Sequence, residues 1–273
     1  PSCDGMSAAR NAERGGEAIE RIRKDVPDAR VRFEALDLAD MASIRALAER
    51  LAATLPRLDG LVNNAAIMAP PRRGTSRDGL ELQFAINYAG HFALTAELLP
   101  LLRRSDSPRV VTVSSIAALR GRIDFDDLQF ERDYDPYGAY AQSKLACLMF
   151  ALELQRRSDA HAWGITSIAA HPGVAVTELV ERGPGIDSEF GRNWAKDRAN
   201  YPSAAQGAVP TLYAATAPEA SGGAYYGPTG DNERRGPLGF ATVPPAARDT
   251  AAAARLWEAT EELTGVRFAP RAR

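Results

Sequence analysis
Cysteine is almost absent from this sequence: Cys3 and Cys147 are the only two. A pair so widely spaced makes neither a disulfide framework nor a thiolate cluster, and no metal site is expected. Lysine is nearly as scarce. Lys24, Lys144 and Lys196 are the only ones, so the basic charge is carried by arginine and the place of each lysine is informative. An excess of one charge sign is missing too. The 33 basic and 35 acidic residues leave a formal net charge of -2, which gives no electrostatic footing for nucleic acid or an anionic membrane. Long apolar runs are lacking: VVTV at 110–113 and the interrupted run at 145–154 are too short to span a bilayer. Residues 1–10 hold no apolar stretch of the secretory kind. These absences point to a cytoplasmic enzyme or binding protein that acts on small molecules.

What is present is an ordinary globular composition, 45% hydrophobic over 273 residues, enough for one α/β domain spanning 1–273. VRFEAL at 31–36 reads as a short strand. Asp40 is placed to cap a helix through Ile44, Leu47 and Leu51. LDGLVN at 58–63 is a second strand, and a long helical pattern follows over 78–102 with Leu82, Ile86, Phe92 and Leu98. RVVTVSS at 109–115 is the cleanest strand, of the continuous apolar kind that is buried on both faces of a parallel sheet. A helix over 137–158, a strand at 164–170, a helix over 203–215 and a last short strand at 224–226 complete the alternation. Strands separated by helices at this spacing predict a parallel, doubly wound sheet. Two segments stand outside the pattern. Residues 178–201 have the length of a functional flap, with Phe190, Trp194 and Tyr201 able to line an apolar pocket or simply to pack. Residues 227–245 are rich in Gly and Pro and open a C-terminal extension over 227–273 that ends in a helix at about 248–263.

Several short patterns can carry chemistry. Tyr140 and Lys144 stand four apart on a predicted helix, hence on one face. An isolated tyrosine, with a pKa of about 10, is a poor proton donor at neutral pH, and a neighbouring ammonium favours its phenolate. Ser114 and Ser115 end the buried strand, where open α/β sheets bind their ligands, and a serine hydroxyl there could support charge on a substrate oxygen. Asn63-Asn64-Ala65-Ala66 follows one strand and His171-Pro172-Gly173 another, with Thr177 beyond, and Asn87 interrupts an apolar helix. Each pattern alone also fits a plain structural role: a surface pair, a strand-ending cap, a turn, a buried amide with core partners.

Taken together and in order, these pieces resemble the short-chain dehydrogenase/reductase family, over about residues 10–177 and more loosely to 227. The stretches IDFDDL at 123–128, YGAYAQSKLA and HPGVAVTEL resemble its retinol-dehydrogenase and WW-domain-oxidoreductase group. YYGPTGDNERRG and LWEATEELTGV are similar to bacterial members. The resemblance implies a Rossmann-like fold, a nicotinamide cofactor, and a fairly apolar carbonyl or alcohol substrate. It implies Tyr140 as general acid/base and Lys144 as the residue that tunes it and holds the nicotinamide ribose. Ser115 would bind the substrate oxygen, and Asn87 a water that links Lys144 to solvent. Asn63 and Ala65 match the adenosine side, with Ala66 where the family has Gly. Asp37 and Leu38 match the adenine contact, and Pro172, Gly173, Ala175 and Thr177 the segment along the nicotinamide. A homodimer or homotetramer through the helices bearing Asn87 and Tyr140 is implied by the same analogy.

One expected feature is missing: no Gly-rich strand-to-helix turn of the dinucleotide-binding kind occurs in the sequence. Residues 8–11 already resemble the end of the family's second strand, and the expectation is an N-terminally incomplete domain. Arg10 stands where NADP users carry a basic residue for the 2′-phosphate, so NADP(H) is expected rather than NAD(H). Two other readings fit the same motifs: a binding protein that has lost its cofactor, and a sugar-nucleotide epimerase or dehydratase.

Overall fold
A computed structural model describes residues 4–268. Strand β1 (Asp4–Ala9), helix α1 (Ala12–Asp25), β2 (Arg30–Ala35), α2 (Met41–Thr54) and β3 (Gly60–Asn63) open the chain. A π-helical turn, Phe84–Ala89, leads into α3 (Gly90–Leu102), then β4 (Arg109–Val113), α4 (Pro136–His161) and β5 (Thr166–Ala170). The flap segment holds two short helices, α5 (Leu179–Arg182) and α6 (Glu189–Asp197). After it come α7 (Ala204–Thr216), β6 (Tyr225–Gly230), β7 (Arg235–Phe240), α8 (Pro245–Arg248) and α9 (Thr250–Thr264).

Local chemistry accounts for most of these boundaries. Asp40 Oδ1 accepts from the backbone N–H groups of Ala42 and Ser43, and Ile44, Leu47 and Leu51 bury one stripe of α2. Asp135 caps α4 through Tyr137 and Gly138, with Pro136 in the first turn. Strand β4 sends Val110 into the core on one side of the sheet and Val111 into the core on the other. That explains a continuous apolar run rather than an alternating one. Helices α3 and α4 cover the first side and α7 the second, as a doubly wound architecture requires.

Among the described residues β1 and β2 pair in parallel with each other and β3-β4-β5-β6-β7 form a second, mostly parallel sheet, in keeping with the doubly wound expectation. Two expectations need correction. The helix expected from 78 starts at Leu82 instead. Gly79, at φ 84°, and the bridge between Thr75 and Glu81 make a turn there, and the Glu81 carboxylate caps Phe84 N at 2.7 Å. The Gly/Pro-rich stretch is not irregular, because β6 runs on to Gly230 and pairs antiparallel with β7. Glycine allows that hairpin to close: Gly239 lies against Thr229, and a side chain at Gly227 would strike the His171 ring. Every residue from Ala139 to Ala151 is buried, with α8 and α9 packed along α4. No element was assigned to 12–25, yet Asn11 caps α1 through Arg14 N. Cys3 lies outside the described residues, and Cys147 is buried as a free thiol.

Backbone contact sets the limit on change in two helices. A methyl group at Gly90 would lie 2.5 Å from the Leu38 carbonyl oxygen, whereas one at Gly16 meets nothing within 4 Å. Alanine is the better helix former by about 1 kcal/mol. Gly90→Ala is therefore expected to lose about 1–3 kcal/mol through overpacking, and Gly16→Ala to gain up to about 1 kcal/mol. Urea unfolding of the two variants tests the opposite signs; equal effects would contradict the packing described.

Candidate active site
Parallel strands bring their carboxyl ends to one edge of the sheet, and that edge collects the polar residues singled out in the sequence. β3 ends at Asn63, β4 runs into Ser114 and Ser115, and β5 into His171, Pro172 and Gly173. Helix α4 is locked to the end of β4 by two reciprocal hydrogen bonds. Lys144 Nζ donates to the Val113 carbonyl at 3.0 Å, and Ser114 Oγ donates to the Lys144 carbonyl at 2.7 Å. Only 3% of Lys144 is exposed. An ammonium so far from water needs such an acceptor, and one bond leaves two donors for other partners.

Ser115 caps the short 3₁₀ turn Ile116–Arg120 by accepting from Ala117 N at 3.1 Å. Its own hydroxyl proton is therefore free to donate elsewhere. Tyr140 lies one turn ahead of Lys144 on α4, on the same face. Its ring is buried among Met68, Ala69, Ala117 and Leu179, and its hydroxyl forms no hydrogen bond to another described residue. Tyr140, Lys144 and Ser115 thus share the end of β4 and the facing turns of α4, each with an unspent donor.

Asn87 sits inside the π-helical turn, a distortion common at functional sites. Its Oδ1 accepts from Ile67 N at 2.8 Å, and its Nδ2 donates to Ile67 O at 3.0 Å and to Ser143 Oγ at 2.9 Å. The side chain is committed to protein partners, tying the segment after Asn63 to the residue before Lys144. Its carbonyl accepts from His91 Nδ1 at 2.9 Å and from Cys147 Sγ at 3.0 Å.

Comparison with known proteins gives the family. A family model described as short chain dehydrogenase matches residues 3–184. The chain belongs to the short chain dehydrogenase family. It is an NAD(P)-dependent oxidoreductase of small molecules. It is 40% identical to mouse polyprenol dehydrogenase over 265 residues, which is 94% of this chain and 75% of the relative. It is 38% identical to mouse retinol dehydrogenase 13 over 271 residues, 96% of this chain and 76% of the relative. Among solved structures, an uncharacterized protein from Mycobacterium paratuberculosis superposes with a TM-score of 0.77 at 37% identity, covering 97% of this chain and 85% of that one.

The residues of this dehydrogenase fit the nicotinamide half of its cofactor, since two donors of Lys144 and the hydroxyls of Ser115 and Tyr140 meet at the sheet edge beside the 172–177 turn. On the adenosine side, Asn63 is buried with Nδ2 on Thr95 at 3.1 Å and on Thr112 at 3.5 Å, while its Oδ1 has no partner among the described residues. Ala65 just beyond it is exposed. Arg10 and Asp37 end the two strands of the smaller sheet. Arg10 is exposed, Asp37 Oδ1 accepts from Ala39 N at 2.9 Å, and Leu38 is buried. Pro172, Gly173, Ala175 and Thr177 form the turn after β5, with Thr177 Oγ1 accepting from Leu179 N. In the flap, Phe190 packs on Tyr137 at 5.6 Å between ring centroids and Trp194 is buried under Arg198. Tyr201 borders a groove of about 570 Å³ that it shares with Pro172, Pro228 and Pro237.

Of three further residues beside the site, Tyr225 and His91 carried no signal in the sequence, while His171 opens the HPG singled out there. Tyr225 donates to the Ser115 carbonyl at 3.3 Å, and burial pushes its phenol well above the usual range. His171 is fully buried. His91 is buried behind Asn87, and burial, reinforced by the Lys144 charge, lowers its pKa to about 4, although the Asn87 carbonyl works the other way.

The sign of the resulting pH dependence is fixed. In the unfolded chain His91 takes up a proton below about 6.5, while in the native protein it stays neutral until about pH 4. Its stability contribution is complete above the unfolded pKa and is lost as pH falls through that window. A loss of about 2 kcal/mol from this residue is expected between pH 7 and pH 5. His91→Gln should flatten the profile of unfolding free energy against pH by that amount, as read by urea titration at both pH values. An unchanged slope would contradict a neutral, buried His91.

Proposed function
We propose that this chain moves a hydride between NADP(H) and the carbonyl or alcohol carbon of a fairly apolar small molecule, with Tyr140 as the proton-transferring residue. The observation that carries this reading is the unpartnered Tyr140 hydroxyl, held in an apolar surround next to the locked Lys144 and Ser115. A bound nicotinamide supplies or accepts the hydride. The chain's own residues do the rest. The free Ser115 proton donates to the substrate oxygen and supports the charge that grows there as the carbonyl is reduced. Tyr140 gives its hydroxyl proton to that oxygen, and in the reverse direction takes it back. Lys144 keeps its positive charge close to the phenol and offers its remaining donors to the ribose. Asn87 is read as the residue that holds the segment at Ile67 and α4 in register. Asn63 and Ala65 border the adenosine, Asp37 and Leu38 the adenine, and Pro172, Gly173, Ala175 and Thr177 run along the nicotinamide.

The apolar substrate is supported by Met68, Ala69, Ala117 and Leu179 around Tyr140, and by relatives named for polyprenol and retinol, both alcohols on apolar chains. Residues 178–201 are the flap over this substrate. Its first helix touches the site directly: Leu179 packs at Tyr140, and Gly183 comes so close to the Met68 carbonyl that no side chain would fit. NADP(H) over NAD(H) rests on Arg10, exposed at the end of β1 with no ion pair among the described residues. One domain over 1–273 and a cytoplasmic setting complete the reading.

Removing the phenolic oxygen separates chemistry from binding. Tyr140→Phe is expected to lower kcat by about 10²–10⁴ while leaving the NADPH dissociation constant within about threefold of wild type. Full turnover in that variant would overturn the assignment. Arg10→Glu places an acid opposite a 2′-phosphate. It should lower the ratio of kcat/KM for NADPH to that for NADH by about tenfold or more, and steady-state kinetics with both cofactors would sink the NADP(H) preference if the ratio stayed the same.

A further inference from the structure
The turn that joins β6 to β7 is held in an unfavourable backbone conformation. Asp231, Asn232 and Glu233 have φ of 48°, 54° and 63°, three successive residues with side chains in the left-handed region. Strain of this kind persists only where surrounding contacts enforce it, and an observed outlier is a fair starting point for a functional idea. Besides the Arg235–Asp231 ion pair within the hairpin, at 3.0 Å, contacts with the turn after β5 enforce it. The Arg234 carbonyl accepts from Val174 N at 2.9 Å, and a side chain at Gly173 would collide with that same carbonyl. Glu233 reaches inward: Oε1 accepts from Thr242 N at 2.8 Å, and Oε2 lies 3.2 Å from His171 Nε2.

His171 has no exposed surface. Its Nδ1 accepts from Gly173 N at 3.2 Å, so the proton of the neutral ring is on Nε2, the nitrogen that faces Glu233. The N–H is not aligned on Oε2 closely enough for a formal hydrogen bond, and the contact is that of a polar N–H with a carboxylate. The ring also packs on Tyr225, 5.1 Å between centroids, whose hydroxyl donates to the Ser115 carbonyl. One carboxylate on the hairpin therefore touches a buried imidazole that contacts both the 172–174 turn and the support of Ser115.

We propose that Glu233 and His171 are positioning residues of the site: the Glu233 carboxylate selects the Nε2–H tautomer of His171, and that tautomer, by accepting from Gly173 N, sets the turn along which the nicotinamide lies. A carboxylate only 15% exposed beside a neutral ring is a demanding way to anchor a hairpin; an apolar side chain would anchor it with less desolvation. What the carboxylate adds is direction, in the way outer-shell acceptors fix the tautomer of ligand histidines. The role of the 172–177 turn comes from the function proposed above, whereas the tautomer and the docking of the two turns do not depend on it.

The test uses the full chain and the variants Glu233→Ala and Glu233→Gln. In wild type, the nitrogen shifts of His171 should report a proton on Nε2; a ring protonated on Nδ1 overturns the proposal without any mutation. Glu233→Ala should speed hydrogen exchange of the Val174 amide by about tenfold and weaken NADPH binding, read by fluorescence titration, by about tenfold. With saturating NADPH, kcat should stay within about threefold. In Glu233→Gln one amide oxygen must serve both Thr242 N and His171 Nε2–H; where the nitrogen shifts still report Nε2–H, exchange and affinity should stay within about threefold of wild type, and where they report Nδ1–H both should fall as in Glu233→Ala. Unchanged exchange in Glu233→Ala, or a Gln variant in which tautomer and Val174 exchange change independently, would refute the role assigned to Glu233. A wild-type chain that bound no NADPH would count against the proposed function instead, and the exchange and nitrogen-shift data would still judge the tautomer.

Discussion
The exchange of hydrogen bonds between the end of β4 and the second turn of α4 is the constraint on which the site depends. Val113 receives the Lys144 ammonium, and Ser114 returns a bond to the Lys144 carbonyl. Between them these contacts fix a strand end, a helix position and the rotamer of the only buried lysine in the chain, since Lys24 and Lys196 are exposed. Ser115 is then placed by being next in sequence, and Tyr140 by being one helical turn back. Because α4 is enclosed on all sides from Ala139 to Ala151, the helix has little freedom to slide. The polar contacts set its register and the apolar packing preserves it.

That enclosure explains why the C-terminal extension belongs to the core. Trp257 of α9 meets Phe92 at 4.9 Å and Phe150 at 5.7 Å between ring centroids, and Phe268 lies 5.0 Å from Phe92. Edge-to-face and offset aromatic contacts of this kind add to burial, and Arg157 closes over the Trp257 ring at 4.4 Å. Tyr88 joins the same cluster and shares a hydrogen bond with Thr260 at 2.8 Å. The back of both helices that shape the site is therefore built by residues far along the chain.

Much of the candidate site was legible in the sequence because its signals are local. A serine after a β-branched run, a Tyr and Lys four apart, and HPG after another strand each mark the end or face of one element, and parallel pairing brings those ends together. The remaining features depend on approach in three dimensions. Nothing in FAINYA at 84–89 announces a π-helical turn, because it arises where Asn87 must reach Ile67 and Ser143 at once. Tyr225 and Glu233 reach the site only through a hairpin that a Gly/Pro-rich composition disguised as a loop. For the flap aromatics composition left pocket lining and packing both open, and Phe190 and Trp194 pack on Tyr137 and Arg198.

The division into two sheets has a mechanical consequence. Within each sheet, backbone hydrogen bonds hold neighbouring strands; between β1 and β3 no described backbone bond runs. The smaller sheet is joined to the larger by one loop bond, Arg77 N to the Ala39 carbonyl at 3.0 Å, and by side chains: Met6 resting on the main core, α2 lying along α3, and the Arg14–Glu178 ion pair at 2.9 Å. That ion pair is well exposed and adds little. Among the described residues no strand ladder crosses from β1 to β3, so the packing of α2 on α3 and the loop bond at Ala39 set where Arg10 and Asp37 stand relative to Asn63 and Lys144.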